Sequence, residues 1–121
     1  MSIPNRIARL NITGSTDTTF DPGAGLNNAG LCVAVLADSR IVAGGSFTLA
    51  QSQVRSRLAV FNADGSLDPC AFTTNDLYDL ALQTDGKVLL AGSMSAVGGV
   101  TRNHIARLSD SLALELGYDP D

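Results

Sequence analysis

The chain has 121 residues, of which 45% are hydrophobic, 17% charged and 5% aromatic, and it contains no Trp. That length suits one domain, whose core must be filled by Val, Leu, Ile and Ala rather than by aromatic rings. The net charge of −4, with no run of Lys or Arg, argues against a nucleic-acid-binding surface, and no apolar stretch reaches the ~18 residues needed for insertion into a membrane as a helix.

Seven of the predicted short strands have clear bounds, because apolar runs of strand length end at turn residues. In chain order they are residues 6–11, 32–37, 40–47, 57–62, 78–83, 87–94 and 104–109. The strands on either side of the turns at 38–39 and 84–86 are apolar nearly throughout, so each pair is predicted to form a hairpin buried on both faces. The Asp64-Gly65 turn is predicted to be of type I′. Residues 112–116 are the best helix candidate, although their repeat equivalent is a strand or loop.

An internal repeat organises the whole chain. Sliding the sequence by 47 residues lays 33–47 over 80–94, and sliding it by 51 residues lays 6–11 over 57–62. The difference of four residues is a loop insertion in the Gly- and Asn-rich segment 21–30. Insertions confined to one connection, with strands in register on either side, are typical of structural repeats.

Each complete unit of the repeat is predicted to contain four strands. The chain then forms a single repeat domain, 1–121, with a half unit at 5–20, a unit at 31–72 and a unit at 77–119. Gly44, Gly45 and Gly92 lie inside strands at matching positions, where glycine weakens a ladder unless another backbone comes close. We therefore expect close packing at these glycines.

The repeat resembles a known family. Residues 6–25 contain Arg-Ile-Ala-Arg-Leu-Asn, then a turn with Gly-Ser, then Thr-Asp-Thr-Thr-Phe-Asp-Pro-Gly-Ala-Gly. Residues 82–93 read Leu-Gln-Thr-Asp-Gly-Lys-Val-Leu-Leu-Ala-Gly-Ser. This pattern resembles the delta-60 repeat, a bacterial β-propeller repeat that is also grouped as a domain of unknown function. The last copy departs from the pattern, because the turn at 110–112 has lost its Gly.

The resemblance implies an all-β fold, with antiparallel four-stranded blades of a β-propeller-like repeat and about two and a half units in the chain. It supplies no general catalytic motif, and it suggests a part of a large secreted or surface protein. The first ten residues lack the apolar core of a signal peptide. Since a closed propeller needs at least about four blades, the open ends would expose apolar surface, so either the chain is a piece of a longer protein or several copies assemble.

One face of the loops is the candidate binding site. In a propeller, the connection after the second strand of a unit lies on the same face as the connection between units, and loops on a rigid scaffold usually carry recognition. Arginines recur there, although their pairing with nearby Asp could simply organise the loops. The predicted binding residues are Asp21, Asn27, Asn28, Arg55, Asn75, Asp76 and Arg102. No catalytic residue, metal site or cofactor is predicted.

Other candidate sites have simpler explanations. His104 occupies the position of Arg6 and Arg57 in the other copies, which favours a repeat-position residue over a catalytic one. The turn at 62–68 alternates oxygen-bearing side chains as a Ca²⁺ loop does, but it lacks the bidentate Glu, so a hairpin turn is favoured. Asp76 and Asp79, with Glu115, could act on glycosides, yet acids beside a strand are ordinary loop residues.

The two cysteines leave an alternative open. Cys32 and Cys70 could form one disulfide or remain two free thiols, with small buried hydrophobes favoured. For function, the sequence favours a non-enzymatic interaction or structural module that self-associates as a homo-oligomer to cover its open sheet ends. The alternative is a glycan-binding or glycan-hydrolysing protein that uses loop carboxylates, although the absence of Trp disfavours sugar binding.

Overall fold

The structure, a computed structural model, describes residues 6–69 and 73–118. Its eleven strands are β1 (Gly30–Val35), β2 (Ile41–Gly45), β3 (Leu49–Ala50), β4 (Gln53–Val54), β5 (Leu58–Phe61), β6 (Leu67–Asp68), β7 (Leu77–Leu82), β8 (Val88–Gly92), β9 (Ala96–Val97), β10 (Val100–Thr101) and β11 (Ile105–Leu108). The described residues contain no α-helix, and hence none long and apolar enough to cross a membrane.

Two antiparallel sheets form the body of the domain. The first unit (β1 to β6) contains a four-stranded sheet in the order β1-β2-β5-β6, and the second unit (β7 to β11) a three-stranded sheet in the order β11-β8-β7. A single bridge between Leu108 and Leu114 marks the start of a fourth strand in the second unit. The half unit, described over residues 6–20, has one bridge between Leu10 and Thr16. Its predicted strand at 6–11 is therefore observed only at its end, whereas the other six predicted strands are confirmed within a few residues at their ends.

The connection between the second and third long strands folds into a small hairpin of its own. In the first unit β3 pairs with β4, and in the second unit β9 pairs with β10. Bridges from Leu26 to Ala50 and from Thr73 to Val97 fix these hairpins to the segment that precedes each unit. The sequence did not predict them, because each strand has only two residues and no apolar alternation can be recognised over that length.

The tight turns share one geometry. In the turn 62–66, the Gly65 N–H donates to the Asn62 carbonyl and the Asn62 N–H donates to the Ser66 carbonyl. Gly65 has φ of +94°, whereas Asp64 is not in the left-handed region. The predicted type I′ turn is therefore wrong: a three-residue loop needs a type I turn followed by one left-handed residue.

The last copy keeps this turn without a glycine. Leu112 adopts φ of 68°, and its N–H donates to the Ser109 carbonyl as Gly65 does to Asn62. The Leu112 side chain is buried against the second unit, which holds the residue in a left-handed conformation that is costly for leucine. The helix candidate at 112–116 is thus a turn followed by a bridge.

Two apolar clusters lie on either side of the first unit. The half-unit cluster consists of Phe20, Leu26, Ile41, Ala43, Phe47, Ala50, Ala59 and Phe61. The inter-unit cluster consists of Leu36, Val42, Leu58, Val60, Leu77, Leu80, Val88, Leu90, Met94, Val97, Ala106, Leu108 and Leu112. Because successive strand residues point to opposite faces, β2 and β5 feed both clusters in alternation and are buried on both sides.

The predicted burial of both faces is confirmed for β2 but wrong for β1. Leu31, Val33 and Val35 of β1 are 45%, 58% and 59% exposed, although the opposite face of the strand packs against the inter-unit cluster. The prediction is also wrong for β7, whose Asp79 and Ala81 are exposed. Each of these faces belongs to an end of the stack, where no further unit covers it among the described residues.

The expected close packing at the strand glycines is confirmed. A Cβ on Gly45 would collide with the Ala29 carbonyl, and one on Gly92 would collide with the Asp76 carbonyl at the equivalent place in the second unit. A Cβ on Gly44 would lie 2.8 Å from the Cys32 sulfur. Gly44 also leaves room for Leu77, which is fully buried, so this glycine lets the two units approach each other.

Candidate functional site

The predicted loop residues Asn27 and Arg55 meet at the β3–β4 hairpin. The Asn27 carbonyl oxygen Oδ1 accepts the N–H groups of Thr48 and Leu49, each at 2.9 Å, and the Arg55 N–H donates to the Thr48 carbonyl at 3.0 Å. Thr74 repeats the arrangement in the second unit, because its Oγ1 accepts the N–H groups of Ser95 and Ala96. These hydrogen bonds show that Asn27 fixes the β3–β4 hairpin to the segment before β1.

Asp76 joins the two units. Its carboxylate accepts a hydrogen bond from Ser46 Oγ at 3.0 Å and lies 3.6 Å from Nε of Arg57, both in the first unit. The neighbouring Asn75 uses its carbonyl to accept a hydrogen bond from Thr73 Oγ1. The Asp76 carboxylate is therefore already engaged in holding the stack together.

The other predicted residues bond to backbone groups, most of them within their own loops. Arg102 is 6% exposed and donates to the carbonyls of Thr101 and Leu116, and Arg55 donates likewise to Val54. The Asp21 carboxylate accepts the Gly23 N–H, and the Asn28 side chain accepts the Ala29 N–H. These bonds are those of residues that shape loops.

The alternative sites are also occupied by local contacts. His104 has φ of 69°, close to the values of Arg6 and Arg57 at the equivalent positions, and its Nδ1 lies 3.2 Å from the Gly92 carbonyl. In the 62–68 turn, the Asp64 carboxylate accepts bonds from the Ser66 hydroxyl and N–H, which lower its pKa.

Cys32 is a free thiol at the boundary between the units. Burial, with a smaller contribution from the charge of Asp79, raises its pKa to about 11, so the thiol stays protonated near neutral pH. Cys70 lies outside the described residues, as do residues 71–72 of the first unit and residue 119 of the second.

A feature that no predicted site residue touches is an open groove between the half unit and the first unit. Its volume is about 590 Å³. We call it the N-terminal groove; its walls are formed by residues 6–10, Phe20, Leu26, 30–33, Val35, Ser39, Ile41 and Ala43. Leu10, one of these wall residues, is 62% exposed. Contiguous apolar surface of this kind marks interaction sites on folded domains.

Comparison of equivalent residues in the two units explains why the groove is open. Val33 and Leu80 occupy equivalent positions, 47 residues apart, yet Val33 is 58% exposed and Leu80 only 9%. Leu80 is buried because it belongs to the inter-unit cluster, to which β1 contributes Cys32 and Ala34. Val33 faces the half unit, in which residues 6–20 form only the two outer strands, so no inner strand covers Val33 within the described part of the chain.

The opposite end of the stack carries a charged residue at the equivalent place. Ala106 and Leu108 of β11 point into the inter-unit cluster, so Arg107 between them faces the other way. There it forms an ion pair with Glu115 and stacks over the Tyr118 ring at 4.3 Å. The equivalent residue of the first unit is the fully buried Val60. Among the described residues, the C-terminal end therefore presents a paired charge beside the apolar side chains of Leu89 and Ile105, whereas β1 presents three exposed apolar side chains to the N-terminal groove.

A family model described as a domain of unknown function (DUF5122) β-propeller matches residues 36–69 and 83–111, just over half of the chain. The chain belongs to this family. The two matched segments begin at Leu36 and Gln83, which are 47 residues apart. The spacing of the family repeat is therefore the same as that of the internal repeat found in the sequence. No curated protein and no solved structure matches the chain. The fold is that of an all-β, antiparallel propeller repeat whose sheets have four strands or fewer and are not closed.

Proposed function

We propose that this propeller domain, a repeat of the delta-60 type, is a non-enzymatic interaction module that associates with another copy of itself through the N-terminal groove. The observation that carries the proposal is the exposure of Val33 at a repeat position where Leu80 is buried. A surface that is core in one unit and open in the next has the composition of a protein interface.

The exposed apolar side chains of β1 favour the N-terminal end as the interface. Placing Arg107 and Asp79 of the C-terminal end in an apolar interface would require desolvation of both charges, which is costly. The wall of the N-terminal groove that β1 forms carries Leu31, Val33 and Val35, whose burial is favourable. On the half-unit wall, Arg9 is paired with Asp17 and Arg6 donates to the Leu26 carbonyl. Contact between the same face of two copies is then the favoured arrangement, and it closes as a dimer.

Light scattering over a range of protein concentrations tests the proposal. We expect the mass to rise from that of the 12.5 kDa monomer to twice that value, and Val33→Asp to keep the chain monomeric because a carboxylate would be buried in the interface. Val54→Asp is the matched control, because Val54 is 75% exposed in β4 and lies outside the groove lining. A monomer at every concentration contradicts self-association, and a dimer that persists in Val33→Asp contradicts the groove as its surface.

A further inference from the structure

The chain contains the same tetrapeptide twice in the same place of the repeat. Residues 7–10 and 105–108 both read Ile-Ala-Arg-Leu. On the outer side the two copies are bonded alike, because the Asp17 N–H donates to the Arg9 carbonyl and the Glu115 N–H donates to the Arg107 carbonyl. The half unit therefore reproduces the outer half of the second unit.

On the inner side the two copies differ. In the second unit Ala106 pairs with Leu90 and Leu108 pairs with Val88, so β8 covers the inner edge of β11. In the half unit, within the described part of the chain, no strand pairs with residues 7–9, and the bridge of Leu10 is to Thr16 on the outer side. An edge of this kind is a template for an added strand.

The face beside this edge indicates the chemistry of the strand that would fill it. In the second unit, the face that carries Leu80 is covered by β1 and β2 through Cys32, Ala34 and Val42. The equivalent face of the first unit, with Val33 and its neighbours, is the wall of the groove. By analogy with the second unit, this groove wall would be covered by a pair of antiparallel strands with small and branched apolar residues.

We infer that the N-terminal groove binds an apolar β-hairpin of the β1–β2 type, supplied by another polypeptide, whose second strand pairs with Ile7–Leu10 and whose first strand covers Val33. This inference goes beyond the proposed function, because it concerns a different occupant of the same groove. Main-chain hydrogen bonds to the edge supply affinity, and alternating apolar side chains against the groove wall supply specificity. A hairpin bound in this way occupies the surface through which two copies associate, so it competes with self-association.

The test uses the full chain, at a concentration where it is monomeric, and a synthetic peptide with the sequence of residues 29–46 that carries Cys32→Ser. We expect one peptide to bind per chain and to slow amide exchange of Ala8 and Leu10 by at least about tenfold, because their N–H groups become bonded to the added strand. The control peptide also carries Val42→Asp, which places a charge against the groove wall. It should bind at least about tenfold more weakly.

The outcomes separate this inference from the proposed function. Peptide binding that protects Ala8 and Leu10, and that is lost in Val33→Asp, supports hairpin addition even if the chain does not self-associate. If the chain forms a dimer that Val33→Asp disrupts, but the peptide does not bind or leaves both amides unprotected, the hairpin inference is overturned and the proposed function stands. Equal binding of the two peptides also overturns the inference.

Discussion

Gly65→Ala is expected to destabilise the domain by roughly 3–5 kcal/mol, from the combined cost of left-handed strain and overpacking. Gly65 has φ of +94°, and a Cβ there would collide with the backbone of Asp21. That backbone is docked on the turn, because the Asp21 N–H donates to the Asp64 carbonyl at 2.9 Å and the Gln51 side chain donates to the Gly65 carbonyl. Relieving the collision would displace the segment that brings Phe20 against Phe61.

Gly14→Ala is the matched control for this prediction. Gly14 occupies the same turn position in the half unit with φ of +91°, but a Cβ there would meet nothing within 4 Å. Its replacement should cost only about 1–2 kcal/mol, the strain of the left-handed conformation alone. Chemical denaturation followed by far-ultraviolet circular dichroism measures both free energies of unfolding. Equal losses in the two variants would contradict the docking of Asp21 on the turn.

Leu80→Asp is expected to cost about 3–5 kcal/mol, because it places a carboxylate without a partner between the two units. Leu80 is 9% exposed and packs with Val88 and Leu90 on the face of the second unit that β1 covers. The loss should appear as a lower denaturation midpoint of the whole domain, because the inter-unit cluster includes residues of both sheets.

Val33→Asp tests the same repeat position in the first unit. Since Val33 is 58% exposed, its carboxylate stays in water, and the change should stay within about 1 kcal/mol, the range of strand propensity. Both variants are compared by urea denaturation at a concentration where the chain is monomeric, so that loss of self-association does not enter. If Val33→Asp destabilises the monomer as much as Leu80→Asp, the groove is closed in solution and the account of the N-terminal end is wrong.

Much of the fold could be predicted from the sequence, because the repeat supplies independent copies of each signal. Six of the seven strands follow from apolar runs between turn residues, and Gly45 with Gly92 marks the place where two backbones meet. Whether a strand face is covered depends instead on the neighbouring unit. Val33 and Leu80 are similar apolar residues in similar runs, and only the missing inner strands beside Val33 make the two differ in exposure.

The candidate site was harder to predict, because the polar loop residues of this repeat form hydrogen bonds and ion pairs that stabilise the fold. Asn27 and Asp76 attract attention as loop amide and carboxylate groups, yet their contacts hold a hairpin and a unit boundary. The groove lining combines Arg6 and Arg9 with apolar side chains, a combination that matches no recognisable binding motif. Its sequence signal is the alternation of Leu31, Val33 and Val35, which follows a half unit whose described residues match only the outer part of the repeat.

Within the described residues, the half unit copies the outer half of the second unit and leaves its inner edge unpaired. Residue-resolved amide hydrogen exchange of residues 7–10 and 105–108 tests it most directly, because the identical tetrapeptides have nearly the same intrinsic exchange rates. The measurement is made on Val33→Asp, so that association does not cover the edge. We expect Ala106 and Leu108 to exchange at least about a hundredfold more slowly than Ala8 and Leu10. Similar protection at the two pairs of amides would contradict the claim, since it would show that the inner edge of the half unit is already paired.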